Sequence, residues 1–313
     1  MKVLFTYDYG KEKMESIKKL GYDIILRSEK GIVYTEEIQD VEALICYHPF
    51  ATLDIAKMKK LRWIQLSSIG IDQVPKEIAR KNKILITNNK GGYSIPIGEW
   101  IVLKILEVYK KSSKLYQQQQ QRRWEMDTSL LELYRKRIGF IGTGSIAAEA
   151  AKRLQGFEVH TIGVNTKGTK VKYFDSCYPI DQLEEVLRSC DVIVLTVPHT
   201  KESHHLINKT RLAMMKKEAV FINISRGNIV DEEALIEHLQ KGNFLGVALD
   251  VFEKEPLPQE SPLWEMDNVL VTPHNCWISE MRNERRFRII YENMKKFKEQ
   301  QPLINQVDIN KGY

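Results

Sequence analysis

A glycine-rich turn between a predicted strand and a predicted helix is the strongest constraint on what this chain can fold into. The mostly apolar run Arg137–Ile141 leads directly into Gly142-Thr-Gly144-Ser-Ile-Ala147. Gly142 permits a tight turn, Gly144 lets a phosphate approach the backbone, and Ala147 keeps the helix close to the strand. A plain strand-to-helix turn can carry the same glycines. Here, however, strand, turn, helix and next strand follow in order within about thirty residues, which favours a dinucleotide-binding unit.

Further cofactor contacts are predicted at two points of this unit. Ser145 and Ile146 begin the helix, where free N–H groups and the positive end of the helix dipole suit a pyrophosphate. The next strand ends at Asn165, where an Asp or Glu usually holds the ribose 2′-hydroxyl of NAD. No carboxylate stands there to repel a 2′-phosphate, and Thr166 and Lys167 have groups that bind one. The pattern therefore favours NADP, the alternative being that Lys167 is a solvated loop residue.

Short apolar runs alternate with amphipathic segments along the chain, which is typical of an α/β protein with parallel sheets. Residues 1–93 contain five such runs, and residues 137–272 contain six more with helical segments between most of them. The second set has the content of a doubly wound sheet. Between the two sets, residues 97–124 predict one long helix after Pro96, with Gln117–Gln121 on its solvated face. A length of 313 residues fits about two domains.

Composition argues against several classes of function. Lys and Arg number 47 against 41 for Asp and Glu, and so small an excess without a basic cluster does not favour nucleic-acid binding. The excess either helps to attract a small anionic substrate or does nothing specific. No apolar run of about 18 residues and no signal-peptide pattern is present, so we expect no membrane contact. The four unpaired cysteines are expected to be reduced thiols in the cytoplasm.

No metal site is predicted. His199, His204 and His205 are adjacent or five residues apart, a spacing that need not bring them together, and we interpret them as surface residues. No other group of His, Cys and Asp suggests a metal.

Three segments with chemically active side chains follow predicted strands, where ligands bind in open α/β sheets. They contain Arg226, the pair Asp250 and Glu255, and His274. His274 suits proton transfer because imidazole titrates near neutrality, and Arg226 offers a planar charged fork that matches carboxylate and carbonyl oxygens. A single His after Pro or a single Arg before Gly is more often structural, but the combination favours catalysis.

With Gly142–Ala147, these segments closely resemble the D-isomer-specific 2-hydroxyacid dehydrogenase family, which includes glyoxylate/hydroxypyruvate reductases and phosphoglycerate dehydrogenases. The resemblance covers nearly the whole chain, because Leu61–Pro75 and Ile86–Trp100 also match motifs of the family. It implies an α/β fold of two domains: a Rossmann-type doubly wound parallel sheet at 94–283, inserted into a smaller flavodoxin-like substrate domain at 1–93 completed by 284–313. It also implies a homodimer, with the helix after Pro96 at the interface.

The resemblance further implies roles for individual residues. Glu255 is expected to pair with His274, and a neighbouring carboxylate favours the imidazolium, so His274 would hold its proton for reduction. Arg226 is expected to bind and polarise the substrate. Other predicted contacts are the backbone amides of Ser68, Ile69 and Gly70 for the substrate carboxylate, and Val197, Pro198, Thr200, Ile224 and Asp250 for the cofactor. Tyr93 is either a substrate contact or a core aromatic.

The expected activity is hydride transfer between NAD(P)H and C2 of a 2-oxo acid, giving a D-2-hydroxy acid in a cleft that closes between the domains. Asn275, Cys276 and Trp277 depart from the small residues common after the family's histidine, which leaves the size of the substrate open. Two alternatives are a dinucleotide-sensing binding protein similar to the corepressors of this fold, and a formate dehydrogenase. The first lacks support because no long interaction tail is evident, and the second because no extended N-terminal segment is evident.

Overall fold

The computed structural model describes residues 1–309 and shows two compact α/β units. The first combines Met1–Tyr93 with the C-terminal segment that begins at Ser279, and the second is Ser94–Ile278. The second unit ends at Ile278, whereas the expected boundary was residue 283. Within residues 1–309, no helix combines the length and the apolar character needed to cross a bilayer.

A five-stranded parallel sheet forms the centre of the first unit. Its strands are β1 (Lys2–Phe5), β2 (Asp23–Leu26), β3 (Val41–Cys46), β4 (Trp63–Leu66) and β5 (Leu85–Thr87). Their order is β2-β1-β3-β4-β5, which is the flavodoxin-like order. Central parallel strands are covered on both faces, and β4 is accordingly buried along its whole length. The predicted fold class is confirmed in this unit.

Two helices accompany this sheet, α1 (Lys11–Lys19) and α2 (Lys76–Lys81). Helix α1 is amphipathic and buries Met14 and Ile17 against the strands. Helix α2 is less than two turns long and buries only Ala79, so its sequence carries almost no periodic signal.

The second unit contains a seven-stranded parallel sheet. Its strands are β6 (Arg137–Ile141), β7 (His160–Asn165), β8 (Ser176–Pro179), β9 (Val192–Leu195), β10 (Val220–Asn223), β11 (Gly246–Leu249) and β12 (Val269–Val271). The order β12-β11-β10-β9-β6-β7-β8 is doubly wound, with the direction reversing between β6 and β9. The sequence predicted six strands. Strand β8 was missed because it is a partly exposed edge strand of four residues, Ser-Cys-Tyr-Pro, without an apolar run.

The helices of this unit are α3 (Ser94–Tyr109), α4 (Ser112–Gln120), α5 (Ser145–Leu154), α6 (Leu183–Ser189), α7 (Lys209–Met214) and α8 (Glu232–Gln240). The single helix predicted for residues 97–124 was wrong. Lys111 adopts a left-handed conformation (φ 49°), which ends α3 and makes α4 a separate helix. Gln118 within the glutamine run is buried, while the rest of the run is exposed as expected.

The last helix, α9 (Arg282–Lys298), completes the core of the first unit. Ile290 and Met294 are fully buried, and the ring of Phe297 packs on that of Trp63 with centroids 4.9 Å apart. Each buried apolar side chain of this size stabilises the fold by about 1.5–3 kcal/mol. Asn293 is also buried, and its Nδ2 donates to Gln65 Oε1 (2.8 Å).

Candidate active site

The glycine turn after β6 has the shape that a dinucleotide needs. Gly142 has φ +102°, and a Cβ there would lie 2.9 Å from the carbonyl carbon of Thr196, so only glycine fits without strain. At Gly144 the reverse holds, because a Cβ would meet no atom within 4 Å. The space beside Gly144 is therefore open, as the approach of a pyrophosphate requires.

Helix α5 begins at this open space with unpaired donors. Its N-cap, Gly144, provides no side-chain hydrogen bond. The backbone N–H groups of Ser145 and Ile146 have no acceptor among residues 1–309. Ser94 Oγ donates to Ser145 Oγ (2.9 Å), and Ala147 is fully buried against the sheet. These residues fit the phosphates of a dinucleotide, which would accept the free N–H groups at the positive end of the helix.

Asn165 shapes the loop that follows β7. Its Nδ2 donates to Thr143 Oγ1 (3.3 Å) and to the carbonyl oxygen of Thr169 (2.9 Å). Its Oδ1 accepts the backbone N–H of Lys167 (3.2 Å) and of Thr169 (3.0 Å). The amide is thus used within the turn, and the exposed side chains of Thr166 and Lys167 are what the turn presents to solvent.

The segment after β9 is held by Ser203, which the sequence did not single out. Ser203 Oγ donates to the carbonyl oxygen of Pro198 (2.7 Å) and accepts the backbone N–H of Thr200 (2.7 Å). Val197 packs partly buried against the core of the unit. These two hydrogen bonds therefore fix the positions of Pro198 and Thr200, two of the predicted cofactor contacts.

The histidines of this loop are closer together than their spacing indicates. His199 Nε2 lies 3.4 Å from His204 Nδ1, and the rings of His204 and His205 stack with centroids 4.2 Å apart. His205 Nε2 in turn lies 2.9 Å from Glu253 Oε1. In the described part of the chain, no three His, Cys, Asp or Glu side chains are placed to hold a metal ion.

His274 and Glu255 form a hydrogen-bonded pair at the carboxyl ends of β12 and β11. Nδ1 of His274 lies 2.8 Å from Oε2 of Glu255, and Oε1 of Glu255 accepts the backbone N–H of Phe252 (3.1 Å). Partial burial alone would raise the pKa of Glu255. The hydrogen bond and charge of His274, the Phe252 N–H and the charge of Arg226 outweigh burial and lower the pKa of that carboxyl.

Asp250 fixes the backbone on which His274 sits. Its carboxylate is fully buried and accepts from Thr272 Oγ1 (2.6 Å) and from the backbone N–H groups of Asn275 (3.0 Å) and Cys276 (3.1 Å). Its carbonyl oxygen accepts the N–H of His274 (2.9 Å). This organising role was missed in the sequence. The sequence does place a carboxylate directly after a buried strand. A carboxylate buried there needs several hydrogen-bond donors, which could have indicated this role.

Arg226 lies at the end of the neighbouring strand β10, beyond the buried Ile224. Its Nη1 donates to the carbonyl oxygen of Ser225 (2.7 Å), and its charge acts on Glu255 as described above. The next residue, Gly227, lies against the backbone of Phe252, so the two loops are in close contact. The three residues predicted to be catalytic are thus brought together by adjacent strands of one sheet.

The first unit carries a loop of free amide donors after β4. The backbone N–H groups of Ser68, Ile69 and Gly70 have no acceptor among the residues that the structure describes. Ser68 Oγ donates to the carbonyl oxygen of Gly70 (2.8 Å), and Asn88 Nδ2 donates to that of Ile69 (2.8 Å). Successive unpaired N–H groups of this kind form an anion-binding concavity.

Tyr93 touches the same loop. It is 6% exposed, and its hydroxyl donates to the carbonyl oxygen of Ser67 (2.5 Å). Nε and Nη2 of Arg286 donate to that hydroxyl at 2.9 and 2.6 Å. Burial raises the pKa of Tyr93, and the positive charge of Arg286 opposes this only in part. Tyr93 is therefore a core aromatic whose hydroxyl supports the anion-binding loop.

A family model for the NAD-binding domain of D-isomer specific 2-hydroxyacid dehydrogenases matches residues 102–276. The chain belongs to this family. D-isomer specific 2-hydroxyacid dehydrogenases are NAD(P)-dependent oxidoreductases, so the predicted family, fold and class of enzyme are confirmed. The roles of single residues stay predictions.

Relatives of known name agree with this assignment. The D-3-phosphoglycerate dehydrogenase of Methanocaldococcus jannaschii is 30% identical over 300 residues, which is 95% of this chain but 57% of that protein. The chain therefore spans little more than half the length of that relative. The glyoxylate reductase of Thermofilum pendens is 34% identical over 281 residues, covering 83% of this chain and 80% of that protein.

Among solved structures, the D-isomer specific 2-hydroxyacid dehydrogenase of Xanthobacter autotrophicus Py2, in complex with NADPH and MES, is similar with a TM-score of 0.83. Its sequence is 26% identical, and the similarity covers 99% of each chain.

Proposed function

We propose that this protein reduces a 2-oxo acid to the D-2-hydroxy acid, with His274 as the general acid. The observation that carries the proposal is the 2.8 Å contact between His274 Nδ1 and Glu255 Oε2, beside the guanidinium of Arg226. A carboxylate on one ring nitrogen orients the imidazole and leaves the other nitrogen to exchange a proton with substrate.

In this mechanism NAD(P)H, when bound, supplies the hydride to C2 of the substrate. Glu255 accepts the Nδ1–H of His274, so Nε2 of the imidazolium gives its proton to the substrate oxygen as that oxygen becomes an alkoxide. Arg226 donates to the carboxylate and the carbonyl oxygen of the substrate, which polarises the carbonyl and fixes its orientation. Asp250 keeps His274 in place through the backbone of residues 274–276.

We assign substrate binding to the unit of Met1–Tyr93 and the C-terminal segment, and cofactor binding to Ser94–Ile278. The free N–H groups of Ser68, Ile69 and Gly70 support the first assignment, because they suit the substrate carboxylate. Gly142, Gly144 and the start of α5 support the second.

NADP is the proposed cofactor. The turn held by Asn165 presents Thr166 and the ammonium group of Lys167, and its side chains include no carboxylate to repel a 2′-phosphate. The NADPH complex of the similar Xanthobacter autotrophicus Py2 enzyme supports the same choice. Further predicted contacts are Val197, Pro198 and Thr200 with the cofactor riboses, and Ile224 and Asp250 with the nicotinamide.

We further propose that the enzyme is a homodimer in the cytoplasm. Large apolar side chains stand in solvent on α3, α4 and the loop after them, among them Leu103, Tyr116, Trp124 and Met126. These exposed apolar side chains support an interaction surface in this part of the unit. The four cysteines are free, and three are buried, which suits a reducing compartment.

The test is a panel of glyoxylate, hydroxypyruvate and branched 2-oxo acids, with oxidation of NADPH or NADH followed by absorbance. His274→Ala is expected to lower kcat by about 10²–10⁴-fold, the usual contribution of general acid–base catalysis. His160→Ala is the matched control, because His160 is the first residue of β7 and so lies at the amino-terminal end of its strand, whereas His274 follows the carboxyl end of β12. Near-normal turnover of His274→Ala would remove His274 from its role. Cofactor binding without turnover of any substrate would instead indicate a sensing protein.

A further inference from the structure

Arg286 is a cation of the first unit without an anionic partner. It lies on α9, is partly buried, and makes no ion pair with any carboxylate among residues 1–309. Its hydrogen-bond partners are the hydroxyls of Tyr93 and Tyr9. Burial raises the pKa of both phenols, so both are neutral at physiological pH and leave the charge of the guanidinium uncompensated.

Two aromatic rings lie close to this cation. The guanidinium carbon lies 5.9 Å from the ring centroid of Tyr7 and 5.6 Å from that of Tyr93. Aromatic faces stabilise a cation without neutralising it. Tyr7 is 45% exposed, so the cation is held close to solvent and not sealed in the core.

The position of Arg286 links it to the loop proposed to bind substrate. The Tyr93 hydroxyl that accepts from Arg286 also donates to the carbonyl oxygen of Ser67, which precedes Ser68–Gly70. Tyr7 follows β1 and Ser67 follows β4, so both lie at the carboxyl edge of the sheet, where ligands bind in open α/β folds. A single hydroxyl group therefore separates the guanidinium from the start of the anion-binding loop.

Glu29, a carboxylate at this edge, is already used. Glu29 accepts from Thr6 Oγ1 (2.6 Å) and from the backbone N–H groups of Tyr47 (2.8 Å) and His48 (2.7 Å). Both of its oxygens are occupied by these donors, and it forms no ion pair with Arg286. Tyr93 accepts from Nε and Nη2, but the charge of this partly buried guanidinium is not neutralised, and its remaining N–H groups can donate to a carboxylate or a phosphate.

The geometry points to Arg286 as a specificity residue that binds a second anionic group, at the end of the substrate remote from the 2-oxo acid. The preferred substrates are then 2-oxo acids that end in a carboxylate or a phosphate. This inference rests on the proposed reduction. A site built around a polar group strongly disfavours the analogue that lacks the group, because the protein donors are left unpaired.

The test compares oxaloacetate with 2-oxobutyrate, which have four carbons each and differ in a terminal carboxylate or methyl group. Phosphohydroxypyruvate tests a phosphate in the same place. In Arg286→Gln we expect the ratio of kcat/KM between the dianionic substrate and 2-oxobutyrate to fall at least tenfold, mainly through KM. Arg286→Lys should fall less, because it keeps the charge but loses the fork. Arg288→Gln, which removes an exposed cation from the same helix, is the control and should keep the ratio.

A merely structural Arg286 would lower the turnover of both substrates alike and leave the ratio unchanged, which would overturn the inference. If glyoxylate or hydroxypyruvate is reduced but none of these three substrates is, the inference fails and the proposed function stands. If no 2-oxo acid of either panel is reduced, the proposed function fails, and the subsite is decided by calorimetric titration of D-malate and D-2-hydroxybutyrate. A preference for D-malate that Arg286→Gln abolishes would support the subsite. Equal affinities in the wild type would contradict it.

Discussion

The backbone of Phe252 passes so close to Gly227 that a Cβ at position 227 would lie 1.8 Å from the Phe252 carbonyl carbon. This contact joins the loop of Arg226 to the loop that carries Glu255, since Phe252 N–H donates to Glu255 Oε1. The relative placement of the two charged side chains therefore depends on the absence of one methyl group.

Gly227→Ala is expected to separate the two loops. Overpacking of this kind costs about 1–3 kcal/mol of unfolding free energy, and a shift of about 1 Å among reacting groups can cost about 10²-fold in rate. Thermal unfolding and kcat on the best substrate measure both effects. Gly156→Ala is the control, because a Cβ there meets nothing within 4 Å. Equal behaviour of the two variants would show that the loops tolerate the displacement.

The pKa of Glu255 predicts how its contribution to stability depends on pH. Since the pKa is lowered in the folded state, the ionised carboxylate stabilises the fold above its ordinary pKa of 4.5. That stabilisation is lost as the pH falls through 4.5 towards the folded value. The difference in unfolding free energy between wild type and Glu255→Gln should be larger at neutral pH than in acid, by at most about 1 kcal/mol because the pair is partly exposed.

Urea unfolding of both proteins at neutral and acidic pH measures this difference. The exposed Glu260 provides the matched control variant, Glu260→Gln. A difference in unfolding free energy that is larger in acid than at neutral pH would contradict the prediction.

Lys167→Gln is expected to weaken NADPH and spare NADH. A hydrogen bond to a charged group contributes about 1.5–3 kcal/mol, so KM for NADPH should rise about tenfold or more while that for NADH changes less than about threefold. Lys152→Gln on α5 removes a different exposed lysine and should change neither. A wild type that prefers NADH would contradict the proposed cofactor.

Trp124 and Met126 are expected to lie in the dimer interface. Their side chains are 103% and 89% exposed, which is costly for residues of this size unless a partner covers them. Trp124→Ser combined with Met126→Ser should shift sedimentation from a dimer towards a monomer at micromolar concentration. Trp264, 52% exposed elsewhere in the unit, offers the control Trp264→Ser. Monomeric wild type would refute the interface.

Much of the site could be predicted because the features that define it are local. The glycines of the turn at 142–147 are required by backbone geometry, and a strand and a helix next to them are visible as apolar patterns. The pairing of His274 with Glu255 followed from the family resemblance. The structure accounts for it by placing both residues after neighbouring strands, β12 and β11.

The rest depends on contacts between residues far apart in the chain. Arg286 and Tyr93 are separated by 193 positions, and no periodicity signals that a helix and a loop will meet. Lys111 is followed by Ser112 and Ser113, whose moderate helix propensity allows either a break or a continuous helix, so the local sequence does not decide between them. The hydrogen bonds of Asp250 to Thr272 and Cys276 could not be predicted either, because they form only once β11 and β12 lie side by side.

Helix α9 also affects the order in which the two units can fold during synthesis on the ribosome. Residues 1–93 emerge without Ile290, Met294 and Phe297, so the sheet face that α1 and α9 share is covered by α1 alone until α9 has been synthesised. Residues 94–278 emerge as one uninterrupted stretch that holds its own seven strands. We therefore expect residues 94–278 to complete their core first, while the apolar strands of residues 1–93 stay partly uncovered and exposed to aggregation.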